Sequence, residues 1–538
     1  MHTKQWQAVC GFVTDVCESV ASSERTMRAL FDLITEDKGR VIYLWNEKGR
    51  QAYVRRDAFR RSVISVARKL ADCLPEPHGI VGLHLDNSPF WPVCYWAVLM
   101  SGHIPLVLDS RYEMFRYRSL SGLGSVYCIT RDRNYPYVIS PDELKASRSE
   151  VDSAFFDGLW ADETVFAAEK PDGSFLAVSH DGRSLSGQIL RLRQAYRYNQ
   201  AMFYPAWMGT MKAAVSRPFS DFFGLLCGII LWPCFNCEVY LPEPDENARQ
   251  YLAGCRAQGI THHCVSAKRS GELLSELSAR IGEAFPKDAE AYMSWLRGET
   301  RVNDYCLLSR YMSISVKILK GFFGKKVRCI LCADGQPEDT ASRVFSRLGV
   351  FFGNGYCVPE LGLVSLELSG DPEMRTKNSA GILLRGIAGM QLEDGRLVLD
   401  CGDTAGRRCV PDGREEFPSP FPLEGRASFD RNNRLCVAGG GYAGARQEEP
   451  ADPETVRKIR ELYAAVLDKP VDIIDEDTDF FSALGGDSLS YFLLLQHIEI
   501  LFGIQIRPEE RIYFSTARFA AETLKPYIQH KGVVTNNA

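Results

Sequence analysis

An α/β body followed by a small all-helical module is the fold class that three features of the sequence predict. From Arg40 to about Ala445, short β-branched or apolar runs alternate with segments of helical periodicity, which argues for α/β units over an all-helical or all-β fold. Residues 446–453 are polar and hold two prolines, the composition of a linker. Beyond them, residues 454–530 carry helical periodicity alone, over a length that folds independently. The chain has 538 residues, 45% hydrophobic and 24% charged, a globular composition that disfavours a disordered or fibrous protein.

In chain order, residues 1–26 are a helical extension. Lys4, Trp6, Asp15 and Glu18 interrupt any apolar core there, so the segment does not read as a secretory signal. The body spans 27–445. Residues 56–74 form its first long helix, 80–85, 104–108, 237–241 and 327–331 are strands, and 92–101, apolar on nearly every side, is a buried helix. The longest apolar stretch, 222–235, contains Pro233 and is shorter than the about 20 residues a membrane helix needs, so no span is expected. The 17 cysteines are odd in number and often sit in apolar segments, as reduced thiols of a cytoplasmic protein do.

Cys234 with Cys237, and Cys329 with Cys332, have zinc-ligand spacing, with His262 and His263 as further ligand candidates. Both cysteine pairs lie in or beside strand-like runs, where residues three apart face opposite ways, so they are poor chelators. In the module, Val456, Ile459, Leu462, Tyr463, Val466 and Leu467 share one face of a helix over 454–467. Further helices are expected over 489–501 and 516–528, the last capped by Ser515 or Thr516, and 531–538 is a tail.

The most informative stretch is Asp477-Thr478-Asp479-Phe480-Phe481-Ser482-Ala483-Leu484-Gly485-Gly486-Asp487-Ser488-Leu489. Gly485 and Gly486 permit a tight turn, and Ser488 then falls at a helix start, where free N–H groups favour an arriving phosphate. The stretch and the helices around it resemble the acyl and peptidyl carrier domains. That resemblance implies that Ser488 receives a phosphopantetheine arm from coenzyme A, whose thiol carries an acyl or aminoacyl thioester. Asp487 is then an acidic neighbour that a phosphopantetheinyl transferase can read, whereas Phe480, Phe481, Leu484 and Leu489 belong to the core.

Residues 27–426 resemble the adenylate-forming ligases, which include acyl-CoA synthetases and nonribosomal peptide adenylation domains. Several modest signals occur in the family's order: Val81-Gly82-Leu83-His84, the run 97–109, Arg217-Pro218-Phe219-Ser220-Asp221, Gly259-Ile260-Thr261-His262 and the run 327–337. Gly353-Asn354-Gly355-Tyr356-Cys357-Val358-Pro359-Glu360 aligns with the family's adenine loop, and Asp400-Cys401-Gly402-Asp403 with its ribose-binding turn. The resemblance implies that Tyr356 stacks on adenine, Glu360 holds magnesium and Asp403 binds the ribose hydroxyls, with ATP and magnesium as cofactors. Cys357 and Pro359 replace the family's glycine and threonine. Gly425-Arg426 stands where the family has its hinge.

Two family features are missing. A Ser/Thr/Gly-rich phosphate loop ending in lysine should precede Val178-Ser179-His180, but 175–184 holds no such run and no lysine. The mobile C-terminal subdomain of roughly a hundred residues, with its catalytic lysine, has no counterpart, because only about twenty residues separate Arg426 from the linker. Two functions stay open: a carrier loaded in trans and fused to a degenerate ligase-like domain used for binding or docking, or a working ligase that loads its own arm. The first is favoured, within fatty-acid, polyketide or nonribosomal-peptide biosynthesis, with acyl-loading and acyl-processing enzymes as partners.

The formal net charge of -5 predicts no nucleic-acid partner. It is concentrated in the module, where residues 454–530 hold 13 Asp/Glu against 8 Lys/Arg. Five of those acids, Asp472, Asp475, Glu476, Asp477 and Asp479, precede Ser488 closely, a field suited to basic partner surfaces.

Overall fold

The structure, a computed structural model, describes residues 3–438 and 452–524 except 75–77, 113–116, 118–119, 121–122, 124–126, 133–136, 147–152, 170–173, 193–199, 303, 334–338, 369–378, 392–396, 403–404, 411–412, 424–425, 431–433, 477, 479, 481–483, 487, 505–515, 519 and 522–523. The chain forms two compact units, Met1–Ala445 and Arg446–Ala538.

In the first unit the strands run β1 (Val41–Glu47), β2 (Arg50–Arg55), β3 (Ile80–His84), β4 (Ile104–Leu108), β5 (Tyr127–Thr130), β6 (Val138–Ile139), β7 (Glu163–Glu169) and β8 (Phe175–Asp181). There follow β9 (Lys212–Val215), β10 (Glu238–Leu241), β11 (His262–Cys264), β12 (Cys329–Cys332), β13 (Phe351–Val358), β14 (Gly362–Leu366) and β15 (Ser379–Leu383). Last come β16 (Ala388–Gln391), β17 (Leu397–Asp400), β18 (Arg407–Val410), β19 (Gly413–Glu416), β20 (Phe421–Pro422), β21 (Arg426–Phe429) and β22 (Arg434–Ala438).

One sheet has the order β19-β18-β8-β7-β4-β3-β5-β6, parallel from β7 to β6. A second runs β2-β1-β10-β9-β11-β12-β13-β14-β15-β22-β21, parallel from β1 to β13 and antiparallel beyond. The pleat divides the cores. On β12, Cys329 and Leu331 join the core that also holds the helix Trp91–Met100, while Ile330 and Cys332 join the core on the opposite face. The two thiols of this Cys-x-x-Cys pair therefore point apart.

Local chemistry sets several boundaries. The helix Ala248–Gln258 opens on a capping box of Asn247 and Gln250 and ends at Gly259, whose φ of 67° suits glycine. The helix Arg56–Cys73 starts with a fully buried arginine, whose guanidinium donates to the carbonyl oxygens of Ile34 and, at 3.0 Å, Pro233. Arg56→Ala strands both carbonyls and is expected to cost about 3 kcal/mol in a urea titration of unfolding. The strand expected at Cys237 begins one residue later, because Asn236 turns the chain through a positive φ of 57°.

β21 and β22 pair with each other, and β22 pairs with β15, so residues after Arg426 complete the body's own sheet. The stretch 439–451 that lies outside the described residues is far too short for another α/β unit.

The second unit has its own core. Asp452 caps the helix Pro453–Leu467, accepting from the backbone N–H groups of Glu454 and Thr455. The helix ends at Asp468 in left-handed geometry, and a short 3-10 turn follows at Val471–Ile473. Val456, Ile459 and Tyr463 pack against Phe480, Leu484, Leu494 and Ile498. Ala517, Ala520, Ala521 and Leu524 are helical and complete this core. Ser515 lies outside the described residues.

Candidate functional site

The helix Ser488–Phe502 begins at the residue singled out in the sequence. Gly485 has a φ of 76°, a conformation side chains resist, and a Cβ there would meet nothing within 4 Å. Gly486 is required for a different reason: its Cβ would run into the Phe480 ring and lie 2.7 Å from the Phe480 carbonyl oxygen. Its N–H donates to that oxygen at 2.9 Å, and Phe480 itself is fully buried edge-on to Tyr463. The turn is thus braced on a core aromatic and delivers the backbone of Ser488 to a helix N-terminus, which fits a phosphate-linked group. Asp487 lies outside the described residues, as do the side chains of Ser488 and Leu489. Gly486→Ala is expected to destabilise this unit by about 1–3 kcal/mol, read as a lower urea midpoint.

In the body, a cleft of about 1210 Å³ opens at the C-terminal ends of β3, β4, β9 and β10, where α/β sheets place their ligands. Its lining carries nine carboxylates against five guanidinium or ammonium groups. Several are paired: Arg217 with Asp221 at 2.6 Å, Arg111 with Asp109 at 2.5 Å, Arg269 with Glu272 at 2.7 Å. Asp221 also caps the helical turn Phe222–Leu225, accepting from the N–H of Gly224 at 2.8 Å, and a π-helical stretch, Leu226–Leu231, continues from it. The four-residue spacing of Arg217 and Asp221 was the one signal of this pair in the sequence.

β7 and β8 form a hairpin paired from Glu163↔Asp181 to Glu169↔Phe175, so the connection that precedes Val178-Ser179-His180 is Lys170 to Ser174. The connection therefore lies upstream of the lysine-free segment 175–184 and does hold a lysine, Lys170, itself outside the described residues.

Tyr356 is 3% exposed and packs with Val358, Leu361, Val364 and Leu397 in a separate small core. Glu360 is 1% exposed, and its carbonyl accepts from the N–H of Gly406 at 2.7 Å. Asp403 lies outside the described residues, as does Gly425. The loop that carries Glu360 is clamped by the helix Gly182–Arg191 and by His180 at the end of β8. Arg191 donates to the carbonyls of Leu361 and Leu363 at 2.7 and 2.8 Å, and Gln188 accepts from the N–H of Leu363. His180 contacts the Pro359 carbonyl through Nε2 at 2.5 Å and the Ser184 hydroxyl through Nδ1.

Burial pushes the pKa of His180 down to about 4, and it does the same to His262, to about 4, and His263, to about 3. The unfolded chain takes up protons on these rings near pH 6.5, the folded chain only near pH 4 and below. Their stabilising contribution is therefore full above pH 6.5 and lost as pH falls toward 4. The urea midpoint is expected to stay flat above pH 7 and to drop steeply from pH 6.5 to 5, before most carboxylates titrate. His262 and His263 are spent on internal contacts, His262 with the Met202 carbonyl and His263 with the Tyr251 hydroxyl. Among the described residues no group of three or more His, Cys, Asp or Glu could hold a metal ion, and no helix is long and apolar enough to cross a membrane.

Residues 457–517 match the family described as a phosphopantetheine attachment site. The chain is 33% identical over 123 residues to the chloroplastic acyl carrier protein 4 of Cuphea lanceolata, covering 23% of this chain and 76% of that protein. It is 38% identical over 69 residues to the acyl carrier protein of Treponema denticola, covering 13% of this chain and 88% of that one. The second unit is thus a carrier module whose prosthetic group is phosphopantetheine. Through this module the chain belongs to the acyl carrier protein family.

Among solved structures, the o-succinylbenzoate CoA synthetase of Bacillus subtilis superposes with a TM-score of 0.56 at 11% identity, over 80% of this chain and 82% of that one. An artificially fused adenylation–carrier di-domain from Klebsiella oxytoca gives 0.55 at 13% identity, over 82% and 83%. The first unit therefore has the adenylate-forming fold, present as the large domain followed by the carrier module.

Proposed function

We propose that the protein carries an acyl or aminoacyl group as a thioester on a phosphopantetheine arm at Ser488, and that its body no longer works as an efficient ATP-dependent ligase. The observation that carries the first part is the turn Gly485-Gly486, braced on Phe480 and ending at the first residue of a fifteen-residue helix. On this reading a phosphopantetheinyl transferase installs the arm: the Ser488 hydroxyl oxygen, losing its proton to the transferase, attacks the pantetheine-side phosphorus of coenzyme A, the pyrophosphate bond breaks, and adenosine 3′,5′-bisphosphate leaves. Enzymes acting in trans then load and process the acyl group, and the acidic module is steered to their basic surfaces.

The second part is supported by the surplus of carboxylates lining the cleft, which repels a triphosphate. The five-residue β7–β8 connection also leaves little backbone to cradle phosphates. The deep burial of Tyr356 favours a core role over adenine stacking. The body then serves as a binding or docking domain. A working ligase that loads its own arm is the second reading, favoured by the clamp of Arg191, Gln188 and His180 on the loop bearing Glu360, which holds that loop as an active site would require.

ATP–pyrophosphate exchange across a panel of carboxylic and amino acids separates the two readings. The proposal expects exchange at background level with every acid, because each lost donor to the transition-state charge costs about a hundred- to thousandfold in rate. Robust exchange that disappears in Asp403→Ala would establish the working ligase instead.

A further inference from the structure

The helix Tyr305–Phe322 presents a narrow apolar stripe to solvent. Its inner residues Tyr311, Ile314 and Ile318 belong to the body's second core. On the outside Tyr305 is 83% exposed, Met312 53% and Val316 49%. At 3.6 residues per turn these three fall within about 40° of the helix circumference, along roughly 16 Å of its length. A single file this narrow is a ridge for another helix or turn to pack along, whereas a helix lying in a lipid interface needs a broad apolar face. Beside the stripe and just beyond it, Lys317, Lys320, Lys325 and Lys326 are all exposed.

The carrier module offers the complementary surface. Its 3-10 turn exposes Val471 by 37% and Ile473 by 58%, with the exposed Asp472 between them and the exposed Asp475 just beyond, in a module with a net charge of -5. Glu476, next in line, is held by Arg518.

We propose that the stripe on Tyr305–Phe322 and its lysines form a docking surface for the carrier module of a second copy of this chain. Ile473 packs against Met312 and Val316, while Asp472 and Asp475 meet the lysines. Each surface sets exposed apolar side chains beside charge of the sign opposite to the other's, and with so few apolar side chains on either side the encounter is weak and salt-sensitive. It does not depend on Ser488 being modified.

The test mixes isotope-labelled and unlabelled full-length protein and couples adjacent amines and carboxylates with a zero-length carbodiimide. Mass spectrometry then reads which peptides are joined. Mixed-isotope links between lysines 317–326 and the acids at 472 and 475 are expected, falling about tenfold in 1 M salt and in Met312→Asp. They are also lost in the double variant Lys317→Glu/Lys320→Glu, and restored when that variant is mixed with Asp472→Lys/Asp475→Lys. Thermal melts of each variant separate lost docking from lost folding. Ser488→Ala leaves the links intact, which keeps this outcome independent of the arm. Absence of mixed-isotope links overturns the proposal, as does sedimentation of the wild type, but not Met312→Asp, with anionic phosphatidylglycerol vesicles.

Discussion

Incubated with coenzyme A and a phosphopantetheinyl transferase, the wild-type chain is expected to gain the mass of one arm, and Ser488→Ala to gain none. The effect is all-or-none because the hydroxyl is the atom that forms the bond to phosphorus, and alanine offers no nucleophile. The neighbouring hydroxyl of Ser490 lies two residues further along the helix, about 200° around it, where it cannot substitute. Ser488 occupies the first position of its helix, so alanine there keeps the helix intact and the loss reads as chemistry, not unfolding. An arm on the Ser488→Ala protein, or none on the wild type, would sink the carrier assignment of this residue. Far-ultraviolet circular dichroism of both proteins controls for structure.

Breaking the pair Arg434–Glu367 is expected to have the largest effect on stability of any single substitution considered. Arg434 Nε donates to Glu367 Oε2 at 2.9 Å, with the two side chains 7% and 2% exposed. Arg434→Met leaves the Glu367 carboxylate buried without this partner, and removing one member of such a pair costs about 3–5 kcal/mol. Replacing both, as Arg434→Met with Glu367→Leu, is expected to recover most of that loss, since an apolar pair of similar volume needs no desolvation of charge. Urea titration of the two variants measures both values. Loss on the double variant equal to that on the single one would show that shape, not charge, holds the site. The pair matters because Arg434 opens β22, so its cost reports how firmly the edge hairpin belongs to the body.

The carrier module was legible in the sequence to a high degree. The expected helices at 454–467 and 489–501 correspond to Pro453–Leu467 and Ser488–Phe502, and Phe480 and Leu484 are core as their pattern implied. Such short-range features are legible because periodicity, caps and paired glycines act within a few residues of where they are written. The body was legible as α/β, and its adenylate-forming fold through motifs in order. Less legible was the end of the body. Residues after Arg426 carry no strong pattern, yet they form β21 and β22, because pairing with β15 supplies hydrogen bonds that a local window does not contain.

The cleft could not have been read at all. Asp86, Glu169 and Glu243 lie far apart in the chain and share a lining only because parallel strands from two sheets end together. The same holds for the surroundings of Tyr356: an aromatic residue in a glycine-containing loop spells either a stacking platform or a core ring, and its packing with Val364 and Leu397 is not written in the loop itself. The sequence by itself determined the class of each unit, the position of the carrier turn and the concentration of negative charge in the module. Tertiary structure alone decided which charges meet in the cleft and which aromatic rings are buried. It also decided which apolar residues of Tyr305–Phe322 are left facing water, because each of these depends on contacts between segments that no local pattern encodes.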